Sequence, residues 1–483
     1  MPVLGLDIGT RSLKALILNE DLEVMGAASR HYEPYFPQSG WAEQDLALWR
    51  AALRPVIAKA LANAGLSAVD IAAVAVCGQL DGCVPTARDG TALGPALIWM
   101  DRRGEADIAH VDPGLVHARC GLVRDATHMG GKVAWLSKHF AHAGEVATWH
   151  QPVSFVVAAL TGRSVMSRSL ASTTMLYDLG RRDWDPELAA AFGTTPDRLP
   201  GLAEESDMAG QLTAAGAELT GLRAATRVAV GTGDDFSNPL GCGVCRPGTV
   251  AVSLGTAETV AALAQPAILD PYRLVETHAY PGGLHHLGNP GWLSGGAVRW
   301  ASTLLGLASD EAFSALAAEA PPGCDGVVFI PALSGAMAPR WIAAARGTFL
   351  GLTASHTRAH LARAVLEGTA FAMRDVVDRL DELGVSTDRL RIMGGGARSR
   401  LWCEIRSAVT CRPAEILTSS DASALGAALL ASVAAGLSPD IATASAALPL
   451  VLSTVEPAPD PRYEAAYARY HEAFAALEPT WKE

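Results

Sequence analysis

The sequence predicts an α/β protein built from two domains. Its 483 residues exceed what a single hydrophobic core normally contains. Short apolar runs such as residues 3–8 and 228–230 end at glycine turns, as buried strands do. Residues 5–10 (GLDIGT) also recur as residues 251–256 (AVSLGT), each followed by another apolar run, which indicates a duplicated unit. We predict domains at residues 1–244 and 245–483.

Composition limits the classes of partner. A net charge of −12 argues against nucleic acid or an anionic membrane as a general partner, although a local pocket of backbone amides can still hold an anionic nucleotide. No apolar run reaches the ~20 residues that a membrane span needs, and the N-terminal residues lead directly into a patterned strand. Eight scattered cysteines favour reduced thiols, so we expect a cytoplasmic protein. We interpret the lone pair Cys242 and Cys245 as small core residues, with redox chemistry a distant second.

The first strand carries an acidic residue within an apolar run. Residues 3–8 and 13–18 predict a hairpin, and the turn between them contains Thr10 and Ser12. A buried Asp7 is costly unless it is paired or bound to a metal ion. We therefore expect the turn amides and hydroxyls to bind phosphate oxygens while Asp7 holds a hydrated Mg²⁺.

Polar side chains follow two further predicted strands. Residues 71–76 lead to Gln79 and Asp81, and residues 96–99 lead to a second polar run, Met100–Arg103. Polar groups at strand ends are how sites in α/β proteins are assembled. Each run is equally consistent with a solvated loop, but their recurrence favours a site.

Residues 228–238 (VAVGTGDDFSN) combine a strand, two glycines and two carboxylates. A strand that stops at Gly-x-Gly allows a sharp turn and a close ligand, so Asp234 is a candidate catalytic group. An Asx-turn that closes a loop is the structural alternative. In the second half, residues 391–393 predict a strand that enters Gly394-Gly395-Gly396 before a helical pattern at 401–409. Bare backbone at that turn is expected to lie against a nucleotide.

Helix limits are predicted from capping residues and periodicity. Asp45 is expected to cap a helix that begins near Leu46, and Ser355 is expected to cap a helix that runs through Val377. Residues 132–136 are expected to be helical, and residues 160–162 to end a helix.

These motifs together resemble the FGGY carbohydrate kinases, most of all the xylulokinase-like branch. The resemblance spans nearly the whole chain. Its carriers are residues 5–10, 41–45, 99–103, 231–234, 253–256, 345–347, 351–353, 367–375 and 394–402. The last segment, GGGARSRLW, is the most specific match.

The resemblance implies two ribonuclease-H-like domains of the actin and sugar-kinase ATPase fold, with a cleft between them for ATP and sugar. It implies ATP-dependent phosphorylation of a small sugar, with a ketopentose such as D-xylulose favoured and Asp234 as general base. Asp7 matches the carboxylate linked to Mg²⁺. The implied sugar contacts are Gln79, Asp81, Trp99, Asp101, Arg103 and Asp235. The implied ATP contacts are Thr10, Arg11, Ser12, Gly255, Thr256, Gly394, Gly395, Gly396 and Arg398.

Two departures concern the sugar pocket. Asp81 stands where xylulokinases typically have His, and Asp235 where they have Asn. A carboxylate accepts hydrogen bonds only when it is ionised, and at an ordinary pKa of ~3.9 it is ionised at neutral pH. The pocket should therefore favour hydroxyl-rich or cationic groups and disfavour a sugar acid. Another ketose or a polyol (ribulose or erythritol, for example) remains an alternative substrate. Residues 334–339 also lack the usual Glu-Arg pair, and the N-terminal signature is half present at residues 132–136.

Two other functions compete with the kinase hypothesis. One is a nucleotide-driven module like the actin and chaperone ATPases, which share both hairpins but lack a sugar pocket. The other is a degenerate kinase that senses a sugar without phosphorylating it. We expect no nucleic acid or membrane partner, and self-association as a homodimer is left open.

Overall fold

The computed structural model describes residues 1–417, 421–450 and 453–481. The chain forms two compact units. Unit 1 contains Met1–Cys245, Thr277–His285 and Asp421–Pro449, and unit 2 contains Arg246–Glu276, His286–Ser420 and Leu450–Glu483. The units are defined by packing, and unit 1 takes in two segments from later in the chain. The predicted boundary between residues 244 and 245 stays a prediction.

A mixed sheet forms the centre of unit 1. Its strands lie in the order Met208–Gln211, Arg227–Ala229, Ala73–Gly78, Val3–Ile8, Ser12–Leu18 and Val24–His31, and Thr232–Gly233 also pairs with Ala73–Gly78. The predicted first hairpin is confirmed, because Val3–Ile8 and Ser12–Leu18 pair as antiparallel strands. Shorter strands of the same unit are Glu43–Gln44, Val84–Thr86, Ala96–Leu97, Thr148–His150, Val165–Ser167, Tyr177–Asp178, Asp183–Trp184 and Gly201–Ala203.

Helices of unit 1 begin where the sequence places capping side chains. The carboxylate of Asp45 accepts a hydrogen bond from the Ala47 amide at 2.9 Å, and the helix runs from Leu46 to Ala64, as predicted. The predicted helix at residues 132–136 is confirmed within Met129–His139. The predicted helix end at residues 160–162 is also confirmed, because the helix Pro152–Thr161 has Gly162 as its C-cap. The helices of the unit are Leu46–Ala64, Pro113–Cys120, Met129–His139, Pro152–Thr161, Arg168–Ala171, Pro186–Ala191, Ala214–Thr220, Asp234–Gly241, Ala422–Ala435 and Ile441–Ala446.

Unit 2 repeats the hairpin and the parallel neighbour of unit 1. Its main sheet contains, in order, Leu284–Trp292, Glu258–Ala264, Thr249–Leu254, Arg389–Met393, Ala414–Ile416 and Ser453–Val455. The predicted second hairpin is confirmed by the antiparallel pairing of Thr249–Leu254 with Glu258–Ala264. Further strands of the unit are Val328–Ile330 and Thr348–Leu350, whereas the strand Glu276–Tyr280 lies mostly in the Thr277–His285 segment of unit 1. The helices are Gly295–Leu304, Asp310–Ala318, Arg358–Glu382, Arg400–Thr410 and Pro461–Leu477.

The longest helix of unit 2 begins two residues later than predicted. Ser355 is not its cap, because the helix Arg358–Glu382 starts after Thr357, whose side chain forms a capping box with His360. The Ser355 hydroxyl instead lies 2.8 Å from the Thr353 hydroxyl. The predicted apolar face is correct in its buried members, since Val365, Phe371 and Val377 all lie in the core.

The cysteines form no disulfide bonds within the described residues. All eight cysteines are free thiols, and Cys242 and Cys245 are buried in the core, as expected for small packing residues. Across the ranges that the structure describes, the helices fall short of the length and apolar character that crossing a bilayer requires.

Candidate active site

Three strand ends of unit 1 bring the predicted catalytic residues to one edge of the sheet. Cys77 on the central strand pairs with Asp7 on one side and with Thr232 on the other, both in parallel register. The carboxyl ends of these strands therefore lie together, and each is followed or occupied by an acidic residue. Asp7 is the penultimate residue of its strand, and Asp234 follows Gly233 directly.

The turn before Asp234 is fixed by close packing. Gly231 has a φ of +79°, and a Cβ atom at this position would lie 2.0 Å from the carbonyl oxygen of Val76. Only glycine fits that space and that backbone angle. Asp234 then begins the helix Asp234–Gly241, so the two carboxylates stand in a helical first turn. The loop interpretation is thus replaced by a strand–turn–helix junction.

The pKa values of these carboxyl groups differ from the expected ordinary value. Burial and the negative charge of Asp234 together raise the pKa of Asp7 to about 7, although the Lys14 ammonium opposes the rise. Burial raises the pKa of Asp234 as well, against hydrogen bonds from the amides of Asp234 and Asp235. At Asp235, burial and the charges of Asp234 and Asp81 all raise the pKa.

These causes place a proton on Asp235 more readily than on Asp234. Amide hydrogen bonds stabilise the carboxylate of Asp234 and lower its pKa. The pKa of Asp235 has no such opposing cause and is raised by the charge of its immediate neighbour, Asp234. The expectation that Asp235 is an ionised acceptor at neutral pH therefore needs correction. Asp234 is the better proton acceptor, and a protonated Asp235 is also a hydrogen-bond donor.

Asp7 has unused hydrogen-bonding capacity. The residue is 7% exposed, and within the described chain its Oδ1 atom accepts no hydrogen bond. Lys14 lies opposite Asp7 in the hairpin and forms an ion pair of 3.6 Å with Asp421, the residue before the helix Ala422–Ala435. An unsatisfied buried oxygen beside a phosphate-type turn indicates a place for a cationic group.

The hairpin turn itself is held by three side chains. Tyr32 donates its hydroxyl to the Gly9 carbonyl at 2.8 Å, and Gln44 donates to the Thr10 carbonyl at 2.5 Å. Trp99, which is 43% exposed, donates its indole N–H to the Thr10 hydroxyl at 3.0 Å. The predicted site residues Thr10 and Trp99 are thus in direct contact, while Arg11 is exposed and Ser12 is half-buried beside them.

The polar run after the central strand also faces this edge. Gln79 donates its amide to Gln44 at 2.5 Å, and the Asp81 amide donates to the side chain of Gln151 at 2.7 Å. Asp81 adopts a φ of +61°, and its Oδ2 atom lies 3.4 Å from Nδ1 of His128. Oε1 of Gln79 and Oδ1 of Asp81 are buried and accept no hydrogen bond from the residues that the structure describes. Both oxygens therefore remain available to a ligand.

Asp101 and Arg103 form an ion pair with each other. Asp101 is fully buried, accepts the Ala42 amide at 2.7 Å and pairs with Arg103 at 2.7 Å. Arg103 also pairs with Glu43 at 2.7 Å and stacks over Trp41 at 3.5 Å. In this arrangement the pair ties the 41–45 segment to the 99–103 segment. Its predicted contact with a sugar stays a prediction.

Unit 2 carries the remaining predicted nucleotide residues. Gly255 and Thr256 are exposed in the turn of the second hairpin. At the glycine turn, a Cβ on Gly394 would lie 2.8 Å from the Leu254 carbonyl oxygen, and one on Gly396 would lie 2.7 Å from Trp402. Gly395 is different, because the nearest atom to its Cβ would be 3.9 Å away, on Arg398. Packing explains two of the glycines, and Gly395 is the one whose bare surface is free for a ligand.

Comparison with known proteins supports the same interpretation. The model of the FGGY family of carbohydrate kinases matches residues 2–241 with its N-terminal domain and residues 248–435 with its C-terminal domain. The chain belongs to the FGGY family of carbohydrate kinases. It is therefore a phosphotransferase of an ATP-dependent sugar kinase family, with two α/β domains.

Relatives of this carbohydrate kinase include two different activities. It is 30% identical to the xylulose kinase of Escherichia coli, with 98% of both chains covered. It is 33% identical to the glycerol kinase of Gloeobacter violaceus, with 93% of this chain and 91% of the relative covered. The crystal structure of the Rhodospirillum rubrum xylulose kinase superposes with a TM-score of 0.92 at 31% identity, with both chains fully covered.

Several residues at the candidate site were not found from the sequence. Lys14 was detectable in principle, because the predicted hairpin places it opposite Asp7. His128, Gln151 and Asp421 gave no local signal, since long-range packing alone brings them to this edge. The buried Lys132 was noted only as part of a helical pattern. Burial lowers its pKa to about 8, and the charges of Asp81 and Asp101 oppose that change.

Proposed function

We propose that the protein phosphorylates a hydroxyl of a small ketose, with a ketopentose of the D-xylulose type as the first candidate. The observation that carries this proposal is the parallel register that sets Asp7 and the Asp234 turn on either side of Cys77. Two carboxylates with separate tasks at adjacent strand ends match the needs of phosphoryl transfer, which depends on positioning and charge neutralisation.

Asp234 is proposed as the general base. Its carboxylate orients the attacking hydroxyl and accepts the proton as the oxygen bonds to the γ-phosphorus of ATP. The bond between that phosphorus and the β–γ bridging oxygen breaks, and ADP leaves. The raised pKa of Asp234 strengthens it as a proton acceptor relative to an ordinary carboxylate. Asp235 is proposed to face the sugar, as a donor when protonated.

Asp7 fits a Mg²⁺ ion held through water. Its buried Oδ1 atom lacks a hydrogen-bond partner among the described residues, and its pKa of about 7 reflects the cost of leaving that charge uncompensated. Over the same residues, no group of three or more His, Cys, Asp or Glu side chains forms a closed metal site. One carboxylate with waters and substrate phosphate oxygens is a usual arrangement for Mg²⁺, which neutralises phosphate charge when bound.

The proposed ATP contacts are distributed over both hairpins and the glycine turn. The residues proposed to bind phosphate oxygens are Thr10, Arg11 and Ser12 in unit 1, and Gly255 and Thr256 in unit 2. Gly394–Gly396 and Arg398 are proposed for the adenosine. The exposed turns and the open Gly395 surface support this assignment.

A polyol is the second candidate substrate. The relatives named xylulose kinase and glycerol kinase have similar identity to this chain, so similarity favours a small polyhydroxy compound without choosing between them. Six residues are proposed to select the substrate: Gln79, Asp81, Trp99, Asp101, Arg103 and Asp235. The unpartnered oxygens of Gln79 and Asp81 support hydroxyl recognition. A cytoplasmic location and a homodimeric state stay predictions.

A coupled ADP-release screen tests the proposal. The panel contains ketopentoses, ketohexoses, glycerol, tetritols, pentitols and aldonates, each with Mg-ATP, and product identity is checked by mass spectrometry. We expect one neutral ketose or polyol to give the highest kcat/KM. ATP turnover that no member of the panel stimulates would contradict a sugar kinase role.

A further inference from the structure

We propose that a buried hydroxyl pair, Ser169 with Thr232, positions Asp234 for proton transfer, and that Glu205 holds this pair in place. The inference rests on the proposed role of Asp234 as general base. It assigns to these three residues a positioning role, since none of them is proposed to touch the substrate.

The pair joins the catalytic turn to a segment 63 residues away. Oγ of Ser169 lies 2.6 Å from Oγ1 of Thr232, and both residues have no exposed surface. Thr232 belongs to the two-residue strand that pairs with Cys77 and Gly78, immediately before Asp234. The backbone of this strand is held by the sheet, and its threonine side chain is held by Ser169.

Ser169 is itself fixed by several contacts. Its amide donates to Oε1 of Glu205 at 3.0 Å, and its hydroxyl lies 3.3 Å from that of Ser167. Its carbonyl accepts from the Ser172 hydroxyl at 2.6 Å. A serine held at its amide, hydroxyl and carbonyl has little freedom to follow a moving partner, so it acts as a fixed point for Thr232.

Glu205 connects the two sides of this arrangement. Its side chain accepts from Ser169, and its main-chain carbonyl accepts the Gly231 amide at 2.9 Å. Glu205 is 2% exposed, so it is a buried carboxyl group that the proposed chemistry does not use. A single residue therefore anchors both the start of the turn and the hydroxyl pair.

The consequence for Asp234 follows from chain connectivity. Only Gly233 separates Thr232 from Asp234, and a Cβ on Gly233 would lie 2.7 Å from the Leu80 side chain. Any shift of Thr232 therefore displaces the carboxylate of Asp234, which is only two residues away. A displacement near 1 Å costs on the order of 10²-fold in rate when a reacting group must be aligned.

The test compares Thr232→Val and Thr232→Ser with wild type and with Thr220→Val. Thr220 is a matched control, because it is 1% exposed and its hydroxyl bonds only to nearby backbone, donating to the Gly216 carbonyl at 2.8 Å and accepting the Leu222 amide at 3.2 Å. We expect Thr232→Val to lower kcat by about 10- to 100-fold while KM for ATP and for the sugar changes by less than about twofold. Thr232→Ser should restore most of kcat, and both valine variants should lose similar melting temperature.

Ser169→Ala provides a second variant if Thr232→Val fails to fold. It removes the other hydroxyl and keeps the amide bond to Glu205. Its effect on kcat should match that of Thr232→Val, and the double variant should be no slower than either single one, because all three lose the same contact.

The outcomes separate this inference from the proposed function. If Asp234→Ala is inactive while Thr232→Val and Ser169→Ala behave like Thr220→Val, the hydroxyl pair is structural and the positioning role is overturned. If Asp234→Ala turns over like wild type, the base assignment fails first, and the inference fails with it.

Discussion

His128 and Asp81 face each other at the edge of the sheet, with Nδ1 of the imidazole 3.4 Å from Oδ2 of the carboxylate. This contact places an acid–imidazole pair beside the proposed sugar site. Behind it lies the fully buried Lys132, whose charge interacts with Asp81. We therefore propose that the charge of Asp81 affects which substrate is admitted.

Replacing Asp81 by Asn should change substrate choice. The variant keeps the shape and removes the charge, and a hydrogen bond to a charged group is worth ~1.5–3 kcal/mol. We expect kcat/KM for the preferred neutral substrate to fall by roughly 10- to 100-fold, with a smaller fall for aldonates. The exposed Asp89 supplies the control variant Asp89→Asn. An unchanged ratio of neutral sugar to aldonate would show that the Asp81 charge plays no part in selection.

The buried His150 should make stability depend on pH. Burial lowers its pKa to about 4, against ~6.5 in an unfolded chain. The unfolded chain then binds more protons, so the contribution of neutral His150 is complete above pH ~6.5 and is lost as pH falls toward the folded pKa. The size of this loss is on the order of 3 kcal/mol.

Melting temperatures at pH 7.5 and pH 5 check this effect. Between these values His150→Gln should lose less stability than wild type, while the exposed control His142→Gln should follow wild type. The account of His150 is wrong if all three proteins show the same pH dependence.

The three glycines of the nucleotide turn should respond differently to alanine. At Gly394, φ is +89° and a Cβ meets the Leu254 carbonyl, so Gly394→Ala should destabilise the fold by ~1–3 kcal/mol. At Gly395 a Cβ has open space, so Gly395→Ala should keep its melting temperature. If the adenosine lies there, the same variant should raise KM for ATP by several-fold. Calorimetric ATP binding equal to wild type in Gly395→Ala would remove this residue from the nucleotide site.

The elements with local signals were predictable from the sequence. Both hairpins and the Asp45 cap follow from apolar runs, turn residues and capping chemistry that act within a few positions. The Ser355 cap was wrong because two hydroxyl residues compete there, and Thr357 has the partner, His360, that completes a capping box. Local pattern alone does not decide between such neighbours.

The electrostatics of the site were less predictable. Asp234 and Asp235 look equivalent in the sequence, but only the folded chain gives one of them amide hydrogen bonds and the other an adjacent charge. The contacts Ser169–Thr232 and Lys14–Asp421 join residues far apart in the chain. Such pairs arise from tertiary packing, and no residue spacing in the sequence predicts them.

The central claim is that Asp234 is the general base, and the most direct measurement is the turnover of Asp234→Ala. ADP release with the preferred sugar is compared with that of wild type and of Asp183→Ala, which changes an exposed aspartate of the same unit. The account predicts a loss of at least ~10²–10⁴-fold in kcat for Asp234→Ala, with ATP binding retained by calorimetry and Asp183→Ala unaffected. Turnover of Asp234→Ala close to that of wild type would contradict it.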